Sequence, residues 1–117
     1  MFSAEVLDHF QNPRNAGEVS GPSASAELEN PACGDVLRLT LRVEGGTITE
    51  IRFLAQGCVA AMACASALTE LVRGANVEKA QQLSREALVG AVGGLPAEST
   101  HASYLAVEAL QKALGNL

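Results

Sequence analysis

The sequence predicts an α+β domain in which a small antiparallel sheet is packed by helices. Three observations predict it. An alternating run from Val36 to Val43 (VLRLTLRV) turns at Gly45-Gly46 into a second alternating run that ends at Ala55. A long segment, Cys58 to Arg73, is apolar on nearly every side until Thr69, as a helix buried over most of its circumference must be. Strands come first and helices second, an order that lays helices over one face of a sheet. With 117 residues, 48% of them hydrophobic, the chain fits one domain over 1–117 whose core needs no disulfide staples.

In order along the chain, Ser3 is placed to cap a short helix over 3–11 with Val6 and Phe10 on its inner face. Asn12-Pro13 ends that helix, because proline disfavours helical backbone in the residue before it. Residues 14–32 are rich in Gly, Ser, Pro and Asn, and within them Ser23 to Glu29 alternates weakly, as an edge strand does. In the first long strand Leu37, Leu39, Leu41 and Val43 share the core face, opposite Arg38, Thr40 and Arg42. After the Gly45-Gly46 turn, Ile51, Phe53 and Ala55 face the core in the returning strand. Gly57 breaks that strand and Gly74 stops the buried helix. Asn76 and Ser84 read as caps of two short helices, and Gly93-Gly94-Leu95-Pro96 as a loop before a final helix over about 98–114.

Charge and leader signals exclude several classes of function. Eight Lys and Arg against 13 Asp and Glu leave a net charge of -5, the opposite of a nucleic-acid binder's balance. The start, MFSAEVLDHF, is acidic where a secretory leader needs a basic segment, and no run of about 18 apolar residues occurs, so no membrane association and a cytoplasmic location are expected. In a reducing compartment the three cysteines are ligands, nucleophiles or core residues rather than bridges.

Cys33 lies in Pro31-Ala32-Cys33-Gly34-Asp35, a turn at the mouth of the first long strand. Cys58 follows the second strand at the start of the buried helix. A hairpin places the beginning of one strand beside the end of the other, so these two ends meet. The helix dipole and free amides at Cys58 are expected to lower the pKa of its thiol. Asp35 adds a carboxylate and His101 an imidazole, making a four-ligand set suited to zinc or iron. Each residue also has an ordinary structural use, since cysteine is among the most buried residue types and Asp35 suits a turn cap. On the residues alone that bland use is the commoner one. Cys64, six residues along the helix, is turned about 120° from Cys58 and about 9 Å up the axis, and reads as a core thiol.

Val6-Leu7-Asp8-His9-Phe10 with Asn12-Pro13-Arg14-Asn15 and Gly17, then Pro31-Ala32-Cys33-Gly34-Asp35, Gly57-Cys58, and Leu95-Pro96 with His101, occur in the order and spacing of one family. Over nearly its whole length the chain resembles the U-type iron–sulfur cluster scaffold family, which comprises IscU, SufU and the amino-terminal domain of NifU. The resemblance implies a SufE/NifU-like α+β fold with a three-stranded antiparallel sheet. It also implies a [2Fe-2S] cluster or iron on Cys33, Asp35, Cys58 and His101, with zinc as another occupant of the same ligands. The implied role is a non-enzymatic scaffold or carrier that receives sulfur from a cysteine desulfurase and passes the cluster to acceptor apo-proteins, as a monomer or weak homo-oligomer.

Two departures stand out. Relatives carry a cysteine directly after the histidine, where this chain has Ala102, leaving two thiolates in place of three. The family's Leu-Pro-Pro-Val-Lys loop reads Leu95-Pro96-Ala97-Glu98-Ser99 here, and the missing lysine weakens the case for docking of an Hsp70-type transfer chaperone. The insertion typical of the zinc-dependent sulfur-acceptor branch is absent between Cys58 and His101. Competing readings are therefore a zinc-binding acceptor of persulfide sulfur and a binding module that no longer assembles clusters.

Overall fold

The β2–β3 hairpin organises the chain in the computed structural model, which describes residues 1–31 and 34–117. The strands are β1 (Ala24–Asn30), β2 (Asp35–Glu44) and β3 (Thr47–Gln56), an antiparallel meander in the order β1-β2-β3. Gly45 and Gly46 turn the hairpin with φ of 59° and 78°, the left-handed backbone that a two-residue turn between twisted strands requires. The resulting register pairs Val36 with Gln56 and Leu39 with Phe53. The first residue of β2 is thereby set beside the chain leaving β3.

Among the described residues five helices complete the fold: α1 (Ala4–Gln11), α2 (Val59–Val72), α3 (Val77–Gln81), α4 (Arg85–Ala91) and α5 (His101–Gly115). A single 3-10 turn, Ala97–Ser99, precedes α5. Ser3, Asn76 and Ser84 cap α1, α3 and α4 as the sequence predicts, accepting hydrogen bonds from the N–H groups of Val6, Lys79 and Ala87. The weakly alternating segment forms β1, and α2 and α5 lie over the sheet. Leu37, Leu39, Leu41, Ile48, Ile51 and Phe53 from the sheet join Leu68, Leu105 and Leu110 in one apolar cluster. Nine alanines of α2 and α5, five from the first and four from the second, bring the helices close enough to fill it with little aromatic bulk beyond Phe53.

Two inner-face expectations need correction. Val43 is only partly buried, because the ladder shifts by one residue between Arg42 and Val43 and Ile48 takes the core place. Thr40, expected to face outward with the arginines, is buried. The 14–22 segment folds over it, and its Oγ1 accepts a hydrogen bond of 2.8 Å from the Val19 N–H. Both changes follow from neighbours outside the strand.

The inner face of α1 also departs from the prediction. Phe10 is 38% exposed, and His9 takes the buried place beside Val6. The cause is the partner helix, since His9 Nδ1 lies 2.8 Å from Ser66 Oγ on α2 and the same oxygen accepts the Arg14 N–H at 2.9 Å. Thr69 continues the polar seam, donating to the Ser66 carbonyl at 2.7 Å and accepting from Asn15 Nδ2 at 3.2 Å. Ser66 thus joins α1, the Asn12-Pro13 corner and α2.

Ser66→Ala is expected to cost about 1–3 kcal/mol in urea unfolding, since it leaves a backbone N–H and a buried imidazole nitrogen without their partner. Stability should also depend on the charge of His9. Burial, assisted by the Arg14 charge, holds its pKa below the ordinary 6.5, against the opposing pull of Glu70 and Asp8. The unfolded chain therefore takes up a proton that the folded chain resists. This contribution is full above pH 6.5 and is lost as pH falls through the lowered folded value. Urea midpoints measured from about pH 8 to about pH 5 should fall less steeply in His9→Gln than in the parent.

Candidate metal centre

Asp35, Cys58 and His101 come from three elements and meet at one end of the sheet. Asp35 opens β2, Cys58 follows β3 and caps α2, and His101 opens α5. The hairpin register brings the first two together, and packing of α5 against the sheet and α2 brings the third. Cys33 lies outside the described residues. Cys64 is fully buried within the apolar cluster, as predicted, with its pKa pushed up to about 12 by burial and then by the neighbouring Cys58.

The Asp35 carboxyl is 1% exposed and uses its two oxygens differently. Oδ1 accepts the Cys58 N–H at 3.0 Å. Oδ2 lies 3.6 Å from Cys58 Sγ and 3.2 Å from His101 Nε2, and Sγ and Nε2 are 3.8 Å apart. Among the described residues this trio is the group of thiol, carboxylate and imidazole able to converge on a cation. The donors suit one. A tetrahedral ion with N, O and S ligands at about 2.0–2.3 Å needs those atoms about 3.3–3.6 Å apart, close to the triangle seen here.

The Cys58 thiol runs against expectation. Its pKa is raised, first by burial and then by the Asp35 carboxylate. The N–H groups of Ala61 and Ala60 at the start of α2 do lower it, and Ala61 N lies 3.4 Å from Sγ, but they are outweighed. Helix geometry is thus in place while its electrostatic benefit is cancelled by the surroundings. Without a cation, the thiol shares its proton with the carboxylate; with one, the proton must leave.

Ala102, where the family resemblance implies a further cysteine, is 1% exposed and belongs to the apolar cluster. Next to the trio, a cavity of about 300 Å³ is lined by Glu29, Asn30, Pro31, His101, Tyr104 and Glu108, among others. Sequence reasoning passed over it. Its signal was present in the spacing, since Tyr104 and Glu108 follow His101 by three and seven residues and so share its helix face. Arg85 covers one side of the Tyr104 ring, 4.6 Å from its centroid.

A three-stranded meander under α2 and α5, with thiol, carboxyl and imidazole converging at one end, defines a small α+β domain with a cysteine-containing candidate metal centre. The NifU-like N terminal domain family matches residues 1–117, and the chain belongs to that family. It is 40% identical over 114 residues to the iron-sulfur cluster assembly scaffold protein IscU 1 of Archaeoglobus fulgidus, covering 97% of this chain and 74% of that one. With the scaffold protein IscU of Aquifex aeolicus it shares 37% identity over 115 residues, covering 97% and 73%. With the nitrogen fixation protein NifU of Azotobacter chroococcum it shares 42% over 117 residues, covering 98% of this chain but only 38% of that longer protein. The crystal structure of a nitrogen-fixing NifU-like protein (N-terminal) from Brucella abortus superposes with a TM-score of 0.82 at 16% identity, covering 97% and 91%, and shows the shared fold.

Because the raised Cys58 proton competes with a cation, zinc affinity is expected to rise with pH across the neutral range, by up to about tenfold per unit for each proton displaced. Zinc titration against a competing chelator at several pH values checks this, and a pH-independent affinity contradicts it. In the metal-free protein, iodoacetamide should leave Cys64 unmodified until the chain unfolds, as peptide mass spectrometry can show.

Proposed function

We propose that residues 1–117 act as one scaffold domain that builds or carries an iron–sulfur cluster, a [2Fe-2S] cluster in the first instance, on Cys33, Asp35, Cys58 and His101. The observation that carries this reading is the convergence of Cys58 Sγ, Asp35 Oδ2 and His101 Nε2 within 3.2–3.8 Å of one another. Membership of the family and the scaffold role named for the IscU relatives support it. Iron and sulfide are cargo in this reading. A cysteine desulfurase supplies the sulfur and an acceptor apo-protein takes the finished cluster, with the exchange set in the reducing cytoplasm.

The residues divide the work by chemistry. Cys58, beside Cys33 in the ligand set, offers the soft thiolate that iron and sulfur favour, and its proton is released to solvent as the cargo binds. Asp35 is positioned by the Cys58 N–H and contributes a hard oxygen, which weakens the hold on iron relative to a thiolate and so favours release. His101 is half-exposed and lines the neighbouring cavity, so it forms the more open side of the site. Among the described residues no helix is long and apolar enough to cross a membrane.

A second reading, a zinc-binding acceptor of sulfur, is favoured by Ala102 together with a triangle of donors sized for a single ion. Two assays separate the readings: anaerobic reconstitution with ferric iron and sulfide, followed by absorbance and by iron and sulfide analysis, and zinc loading followed by incubation with a cysteine desulfurase and free cysteine. Bound iron and sulfide with a visible chromophore, lost in Cys33→Ala and in Cys58→Ala, supports the scaffold. One zinc per chain, no retained sulfide, and transfer of the outer sulfur of the desulfurase's persulfide to the Cys58 thiolate, with the desulfurase cysteine leaving as its thiolate, support the acceptor. Retention of neither metal nor sulfur, with both variants unchanged from the parent, overturns both. Ala102→Cys is expected to lengthen the lifetime of the bound cluster, because it adds a thiolate beside His101; an unchanged lifetime would show that the four-residue set is complete as it stands.

A further inference from the structure

Gly57 does more than end β3. Its φ is 140°, a backbone that side-chain-bearing residues rarely adopt, and the space where a Cβ belongs is already taken. A Cβ built there lies 2.0 Å from Asp35 Oδ1, 2.7 Å from its Cγ and 3.1 Å from its Cα. The hairpin glycines differ. Gly45 and Gly46 have left-handed backbone as well, but a Cβ on either meets nothing within 4 Å. Those positions need glycine for a turn, whereas Gly57 needs it for room.

The occupant of that room is the carboxyl that faces both other donors. The β2–β3 register ends at the Val36 and Gln56 pair, so Asp35 and Gly57 are the next residues on the two strands, and the Asp35 Cα lies 3.1 Å from where a Gly57 Cβ would stand. To reach the Cys58 N–H with Oδ1 and face Sγ and Nε2 with Oδ2, its side chain passes over the bare Cα of Gly57. Any side chain at position 57 pushes the carboxyl out of the triangle while leaving all three donor residues chemically intact.

We infer that Gly57 is the positioning residue of the centre: its missing Cβ seats the Asp35 carboxyl against Cys58 and His101 and so sets the site's affinity for a cation. This rests on the reading of Asp35, Cys58 and His101 as ligands. The role is one of placement, since Gly57 itself offers the cation nothing.

The test is a double-mutant cycle on the full chain, read by titration of zinc chloride against a chelator. Gly57→Ala is expected to weaken zinc binding about tenfold or more, as removal of a ligand's support does, and to match Asp35→Ala. In the Asp35→Ala background, Gly57→Ala should change the affinity by no more than about twofold, because the group it displaces is already gone. Gly46→Ala is the control for left-handed backbone alone and should bind zinc like the parent. Parent-like affinity in Gly57→Ala overturns the inference, and so does an equal further loss in the Asp35→Ala background.

Urea unfolding of the same four chains separates this inference from the reading it rests on. Gly57→Ala should destabilise the parent more than it destabilises Asp35→Ala, whether or not metal binds. If the parent takes up no zinc but that difference is found, the metal reading fails and the steric role of Gly57 stands. Equal destabilisation in both backgrounds, including loss of folding in both, shows that contact with Asp35 is not the reason for glycine and overturns the inference.

Discussion

The hydrogen bond from the Cys58 N–H to Asp35 Oδ1, 3.0 Å long, ties the first residue of β2 to the first turn of α2. It satisfies an N–H at a helix start and fixes the rotamer of a buried carboxyl at once. The other features of the site follow from it. With Oδ1 committed to the backbone, Oδ2 is left pointing between the thiol and the imidazole, where a cation or a shared proton is the suitable partner. Gly57 permits this bond by leaving the carboxyl's path free.

The sheet that delivers Asp35 is narrow, and its edges are closed by groups from elsewhere in the chain. Lys112 Nζ of α5 and Nδ2 of Asn116, which caps the end of that helix, donate to the carbonyls of Glu27 and Ser25 along β1, at 3.3 and 2.9 Å. Along β3 the Phe53 N–H and carbonyl pair with Asn15 and Gly17, while Ile48 pairs with Gly74 and Ala75. A small sheet with open edges invites pairing with other chains, and these contacts occupy the groups that would do so. They also anchor α5 along β1, which carries His101 at its first turn to the Asp35 end.

Competition between burial and dipole decides the chemistry of Cys58. Starting a helix favours a thiolate, yet placing the sulfur in a half-buried pocket beside a carboxylate disfavours it more. A cation reverses that balance, because it supplies the positive charge the pocket lacks. A raised pKa leaves less of the resting thiol as thiolate, the form that binds metal, and a bound cation favours its deprotonation.

Much of this was legible in the sequence. The alternation of β2, the Gly45-Gly46 turn, the unbroken apolar run of α2 and the capping residues depend on neighbours a few positions away, so local pattern determined them. The hairpin predicts that the strand ends carrying Cys33 and Cys58 meet; Cys33 lies outside the described residues, and it is Asp35, the first residue of β2, that is found beside Cys58 at those ends. Tertiary structure alone decided the rest. His9 rather than Phe10 is buried because Ser66, fifty-seven positions away, offers a partner, and Thr40 turns into a buried acceptor because Val19 reaches it. The Cys58 thiol is raised rather than lowered because solvent exclusion and Asp35 act through space, and Gly57 is indispensable for a contact that strand patterning does not encode. Local periodicity specifies which elements form; burial, charge and van der Waals room depend on what packs against them, which only the folded chain determines.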